Sequence, residues 1–232
     1  MTQAAGGAGL GPIERRIRVA DGTEISALVL LPAEPRVLFV LAHGAGAGMR
    51  HAFLDALAQR LAERAVATLR YQFPYLERGS RRPDPEPVLL DTVRAAVAAG
   101  GELADGLPLV AGGKSMGGRM TSRAAAAEPL AGVAGLVFLG FPLHPAGHPG
   151  VTRASHLQRV NLPMLFLQGT RDTLADLELL EPILACLGPR ATLHRVEHAD
   201  HMFHVLKRSG RTDEQVLDEL AGGIAGWWEA QA

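Results

Sequence analysis

One serine among glycines and, far downstream, one aspartate and one histidine carry the chemistry this chain is equipped to do. In the stretch 109–119 a short apolar run ends in Gly112-Gly113, Lys114 and Ser115 follow, and Met116-Gly117-Gly118 opens a helical pattern. Gly113-Lys114-Ser115-Met116-Gly117 fits G-x-S-x-G, a sharp strand-to-helix turn that exposes a serine hydroxyl. The residues two before and two after that serine crowd neighbouring backbone, so glycine, without a Cβ and tolerant of positive φ, suits both. A serine hydroxyl is a poor nucleophile until an imidazole takes its proton. The imidazole in turn needs a carboxylate to fix its tautomer and stabilise its cation.

The partners of a G-x-S-x-G serine follow it in the order acid, then histidine. Catalytic groups on open parallel sheets lie at the carboxyl ends of strands. The run Met164–Gln168 reads as a strand and is followed by Gly169-Thr170-Arg171-Asp172, which selects Asp172. The strand-like run from Thr192 is followed by His198-Ala199-Asp200-His201, which selects His201. Asp176, read as falling inside the next helix, and Asp200, too close to the histidine to orient it, are rivals read as solvated or capping carboxylates. An oxyanion needs two backbone N–H donors. Met116, after the serine, supplies one, and Ala45, in the glycine-rich loop after the strand Val37–Ala42, is chosen for the second.

Competing motifs fail on spacing. A phosphate-binding loop ending in Gly113-Lys114-Ser115 needs a glycine where Pro108 stands. A dinucleotide fingerprint starting at Gly44-Ala45-Gly46 puts Met49 at its third glycine and offers no acidic residue near Arg70. His194, His198, His201 and His204 invite zinc, but no H-E-x-x-H is present and His194 reads as lying on a strand. No metal and no cofactor is expected.

The elements that must position these groups alternate. Ile17–Ala20 and Ile25–Leu31 flank Asp21-Gly22, a hairpin signal. Strands follow at 37–42 and 66–71, from Pro108 into the turn at Ser115, and at 136–140, 164–168 and 192–197. Between them lie helical patterns, one with Leu54, Leu57 and Leu61 on a face, one ending near Ala99, one behind Ser115 and one over 174–187. Thr212 and Gln215 form a capping box before a stripe of Val216, Leu220, Ile224 and Trp227. Such alternation predicts a mostly parallel sheet covered by helices on both faces.

Composition sets the class. The 232 residues are 47% hydrophobic and 20% charged with net charge −1, so no global field draws the chain to nucleic acid or membrane. Its cations are 21 Arg and 2 Lys, a compositional bias and not a nucleic-acid footprint. Cys186, the one cysteine, sits in an apolar run and reads as a buried thiol. Residues 1–12 read as a flexible tail without a signal peptide, and residues 13–232 as one domain, in a cytoplasmic protein. Oligomeric state is not readable. Arg78, Arg81, Arg82 and the Lys207-Arg208-x-x-Arg211 run read as solvated charge, with attraction of an anionic substrate as the functional alternative.

Taken together, the chain resembles a branch of the α/β-hydrolases. It is similar to the dienelactone-hydrolase-like proteins grouped with the testis-expressed and NSL-complex hydrolase-like proteins of animals. The resemblance rests on Ala42-His43-Gly44-Ala45-Gly46, Phe73-Pro74-Tyr75, the stretch 112–119, Gly140-Phe141-Pro142-Leu143-His144-Pro145, Gln168-Gly169-Thr170-Arg171-Asp172, Ala199-Asp200-His201 and 207–212. It implies an α/β-hydrolase fold of about eight strands and Ser115, Asp172 and His201 as a triad. Two departures stand out: His198 occupies a position where glycine is typical, and dienelactone hydrolases proper use cysteine where Ser115 stands. The expected function is hydrolysis of a small ester or thioester through an acyl-enzyme on Ser115. Acyl transfer or perhydrolysis at the same serine, or a scaffold used only for binding, are the alternatives. The Pro- and Gly-rich segment between Gly140 and Met164 predicts an irregular loop without a lid domain, and hence a preference for short acyl groups.

Overall fold

The computed structural model describes residues 11–231. The tail expected over 1–12 lies, but for its last two residues, outside them. Asp21-Gly22 turns the chain between β1 (Ile13–Arg18) and β2 (Glu24–Leu30), which pair antiparallel with Ile17 opposite Ile25. Six more strands follow: β3 (Val37–Ala42), β4 (Val66–Tyr71), β5 (Leu109–Lys114), β6 (Val133–Leu139), β7 (Met164–Gly169) and β8 (Ala191–Val196). They form one eight-stranded sheet in the order β1-β2-β4-β3-β5-β6-β7-β8. From β4 to β8 every neighbouring pair is parallel.

Every residue of β3, β4, β5 and β7 is buried, as a strand covered on both faces requires. The helices are α1 (Ala52–Ala62), the single turn α2 (Pro74–Glu77), α3 (Glu86–Ala104), α4 (Met116–Ala127), α5 (Leu177–Leu187) and α6 (Asp213–Glu229). Alternation along each strand splits the apolar side chains into two cores. One gathers Leu38, Val40, Ala111, Phe138 and Phe166 with α3, α4 and α5. The other gathers Phe39, Leu41, Val137 and Leu165 with Leu54, Leu57 and Leu61 of α1 and Val216, Leu220, Ile224 and Trp227 of α6. Both halves of the Thr212–Gln215 capping box are formed.

Two expectations are corrected. The helix expected to stop near Ala99 continues to Ala104, because Gly100 is a packing position and not a stop. A Cβ there would lie 2.6 Å from Val40 Cγ2, so the glycine lets α3 sit close on the sheet. Cys186 is exposed and not buried. The inward face of α5 is Leu180, Leu184 and Leu187, and Cys186 falls between two of these on the outer side. Between β6 and β7 the chain is irregular apart from a 3₁₀ segment, Thr152–Arg159, that packs Ala154, His156 and Leu157 inward. No lid domain is inserted there.

Candidate active site

Ser115 lies in the turn between β5 and α4 at φ +49° and ψ −114°, a conformation that L residues rarely adopt. Its N–H donates to the carbonyl of Leu139 at 3.0 Å, which pins the turn to the neighbouring strand. The flanking glycines are sterically required. A Cβ on Gly113 would stand 2.3 Å from the carbonyl oxygen of Ala42, and one on Gly117 would stand 2.6 Å from Ala42 Cβ. The strained serine is therefore held by close contact between the turn and β3.

Asp172 and His201 reach Ser115 from the loops after β7 and β8. Those loops are locked together: Arg171 N–H donates to the carbonyl of Ala199 at 2.9 Å, and a Cβ on Gly169 would meet the same oxygen at 2.4 Å. His201 Nδ1 is 2.7 Å from Asp172 Oδ2, and its Nε2 is 2.9 Å from Ser115 Oγ. A carboxylate only accepts, so Nδ1 carries the proton and Nε2 accepts from the serine hydroxyl. The side chain of Asp172 is fully buried. It is held in place by Gln168 Nε2, which donates to Oδ2 at 2.5 Å, and by Leu174 N–H, which donates to Oδ1 at 2.8 Å. Gln168 is a positioning residue with no signature of its own in the sequence beyond its place one residue before the glycine.

Ala45 and Met116 both border the cleft at Ser115. Among the described residues their N–H groups have no hydrogen-bond acceptor. The loop bearing Ala45 is fixed by two residues whose role spacing did not suggest. His43 Nδ1–H donates to the carbonyl of Gly44 at 2.7 Å and its Nε2 accepts from Phe73 N–H at 3.1 Å. Burial pushes the imidazole down to about 4, against the pull of that carbonyl, so the ring is neutral at physiological pH. The Tyr75 hydroxyl accepts from Gly46 N–H at 3.0 Å. Phe73 and Tyr75 are fully buried against the domain and build no wall of the cleft.

Two lobes meet at Ser115. The smaller, about 150 Å³, is mainly apolar and bordered by Ala47, Phe53, Leu54 and Met202 together with His51 and Lys114. The larger, about 390 Å³, is bordered by Pro142 and Leu174 and carries Arg119 and Arg153. Lys114 is buried beneath the first lobe, with its ammonium donating to the carbonyl of His201 and standing 5.0 Å from the ring centre of Phe203. Burial pushes this lysine down to about 8, while Asp172 and Asp200 pull the other way.

The rival groups are occupied elsewhere. Asp176 is not inside α5, as expected, but caps it by accepting from Glu178 N–H at 2.9 Å. Asp200 folds the histidine loop by accepting from the N–H groups of Met202 and His204. His194 pairs with Glu219 and His204 with Asp213, each at 2.7 Å, so the histidines point to separate partners. Among the described residues no group of three His, Cys, Asp or Glu is arranged to hold a metal. His198 adopts φ +64°, which accounts for the glycine typical of that position. No helix among the described residues is long and apolar enough to cross a membrane.

The fold recurs in solved structures. The chain is similar to an α/β serine hydrolase without a lid from Xanthomonas campestris, at 22% identity and TM-score 0.73, covering 94% of this chain and 95% of that one. It is similar to dienelactone hydrolase from Anabaena variabilis, at 21% identity and TM-score 0.73 over 95% and 99% of the two chains. An α/β serine hydrolase homologue from Coxiella burnetii gives 19% identity and TM-score 0.74 over 93% and 98%. At these identities the likeness is one of fold. Residues 35–229 match the family described as an alpha/beta hydrolase domain, and the chain belongs to that family.

Proposed function

We propose that the protein hydrolyses a small carboxylic ester or thioester, with Ser115 as nucleophile, His201 as general base and then acid, and Asp172 as the carboxylate that orients it. The observation that carries this reading is the unbroken hydrogen-bonded chain from Ser115 through His201 to buried Asp172. In the reaction Ser115 Oγ adds to the substrate carbonyl as its proton passes to His201 Nε2, and the N–H groups of Ala45 and Met116 receive the oxyanion. Collapse of the tetrahedral species expels the alcohol or thiol, which takes the proton back from His201. Water then repeats the sequence on the acyl-serine and releases the acid. The small apolar lobe suits short acyl chains, in keeping with the missing lid. On its sequence motifs we also place the chain beside the testis-expressed and NSL-complex hydrolase-like proteins.

Against a scaffold used only for binding stands the strained backbone of Ser115, a cost that a binding surface gains nothing from keeping. A fluorophosphonate probe tests the proposal, because it labels only an activated serine. Labelling mapped to Ser115 and abolished by Ser115→Ala is expected. An unlabelled folded protein overturns it.

A further inference from the structure

We propose that Arg119 and Arg153 form an anion-binding subsite in the larger lobe beside Ser115, so that the ester cleaved there carries a carboxylate or phosphate group. The inference rests on the hydrolase reading of Ser115 and adds the substrate class. Four charged residues border this lobe: Asp84, Glu86, Arg119 and Arg153. Each carboxylate has one ion pair, Asp84 through Oδ1 with Arg78 and Glu86 with Arg123 at 2.5 Å, while Asp84 Oδ2 is buried without a hydrogen-bond partner. Among the described residues neither Arg119 nor Arg153 has a carboxylate partner, and Arg119 Nε is buried without an acceptor. Two guanidinium groups thus face one cavity with their donors uncommitted. A guanidinium fork matches the two oxygens of a carboxylate or phosphate.

The placement is built. Arg119 lies one helical turn after the nucleophile, its N–H donating to the carbonyl of Ser115 at 3.1 Å. Arg153 lies on the 3₁₀ segment that His156 fastens to α4 through Ser122, at 2.8 Å. Burial, and then the charges of Arg153 and Arg123, disfavour the cationic form of Arg119, with Glu86 opposing them. An anion in the lobe offsets that repulsion, which Glu86 alone does not balance. Two of the cations suggested by charge runs are committed elsewhere, Arg78 to Asp84 and Arg211 to Glu219. The opposite lobe is mainly apolar, so the substrate class is an ester with one small apolar part and one anionic part.

Matched aryl esters test this. Mono-p-nitrophenyl succinate is compared with p-nitrophenyl butyrate, and 4-acetoxyphenyl phosphate and 4-acetoxybenzoate with phenyl acetate. These separate carboxylate from phosphate, and the acyl side from the leaving-group side. The expected result is an anionic-to-neutral ratio of kcat/KM, for at least one pair, that falls about 30-fold in the double variant Arg119→Met/Arg153→Met. Arg153→Met alone, on an irregular segment, should give part of that loss if Arg119→Met compromises folding. In the unmodified protein the same ratio should fall as salt rises. A ratio that is unchanged by both salt and substitution for every pair, with neutral esters still cleaved, overturns the subsite and leaves the hydrolase reading intact. If no ester is cleaved and no fluorophosphonate binds, the hydrolase reading fails instead. Calorimetric titration of the Ser115→Ala protein with succinate and with inorganic phosphate then decides the subsite alone: binding that the two arginine substitutions abolish supports it, and no binding overturns it.

Discussion

Two serine–histidine pairs sit about two turns apart along one helix, and only one of them is equipped for catalysis. Ser115 and His201 are separated by 2.9 Å, Ser122 and His156 by 2.8 Å. The contact itself does not distinguish them. Behind His201 stands buried Asp172, whereas among the described residues no carboxylate backs His156, whose only opposing pull is the backbone of Arg153. His156 is pushed down to about 4, first by burial and then by Arg123, Arg119 and Arg159, so its surroundings reject the imidazolium that a general base must become. Ser115 opens onto a cleft with two uncommitted N–H groups, and Ser122 is fully buried. A carboxylate and a cavity, not the Ser–His contact, separate the proposed nucleophile from Ser122.

The largest test of that contrast is kinetic. Ser115→Ala or His201→Ala should each lower kcat for ester hydrolysis by on the order of 10⁶, with the double variant little worse, because such a set acts as a unit. Asp172→Asn should cost about 10⁴ by leaving the wrong tautomer. Ser122→Ala should change kcat by less than about threefold and instead cost about 1–3 kcal/mol of stability, since it strips a buried imidazole of its partner. Steady-state kinetics beside urea denaturation separate the two outcomes. Equal kinetic losses at Ser115 and Ser122 would break the comparison.

The contrast also marks the limit of what the sequence makes legible. Ser115, Asp172 and His201 are readable because each follows a strand, and strand ends in a parallel sheet share one edge. β5 and β7 begin as short apolar runs, and β8, though mixed in composition, reads as a strand from Thr192. His156 was not, because its segment has neither helical nor strand period and its partner lies on another element. Arg119 and Arg153, the arginines of the proposed subsite, do not stand out in the sequence for a related reason. Sequence draws the eye to runs such as Arg81-Arg82, whereas a charge matters where it is unpaired and faces a cavity. Tyr75 was visible as an aromatic, but its hydroxyl bond to Gly46 joins separate loops. Cys186 went wrong on a finer point: an apolar run names a helix, and only its phase says which side is buried.

Acid should expose the second difference. His43 and His156 are both pushed from the usual value of 6.5 down to about 4, chiefly by burial. The unfolded chain then binds more protons than the folded one between those values, so stability is full above about pH 6.5 and declines as pH falls toward 4. Each histidine should remove about 2 kcal/mol between pH 7 and pH 5. Denaturation curves at the two pH values check this, and His156→Gln should remove roughly half of that histidine-linked sensitivity. The same sensitivity in His156→Gln as in the parent would mean that this imidazole is not the buried neutral base its surroundings require.

The smallest effect concerns the cation beside each pair. Around His156 the cations are arginines with no carboxylate set between them and the ring, and they make its protonation harder. Beside His201 the cation is Lys114, whose ammonium donates to the histidine's own carbonyl while its charge is drawn to Asp172 and Asp200. This lysine holds the base in place through that bond. Lys114→Met should therefore lower kcat about tenfold by freeing the His201 loop and leaving a carbonyl unsatisfied. In the parent protein part of that loss should set in above about pH 8, where Lys114 loses its proton, and be missing from the variant. Lys114→Arg should keep most of kcat if a charged donor to the carbonyl is what the loop needs. An unchanged kcat in Lys114→Met would remove this lysine from the positioning of His201, and the cations would then drop out of the difference between the two pairs.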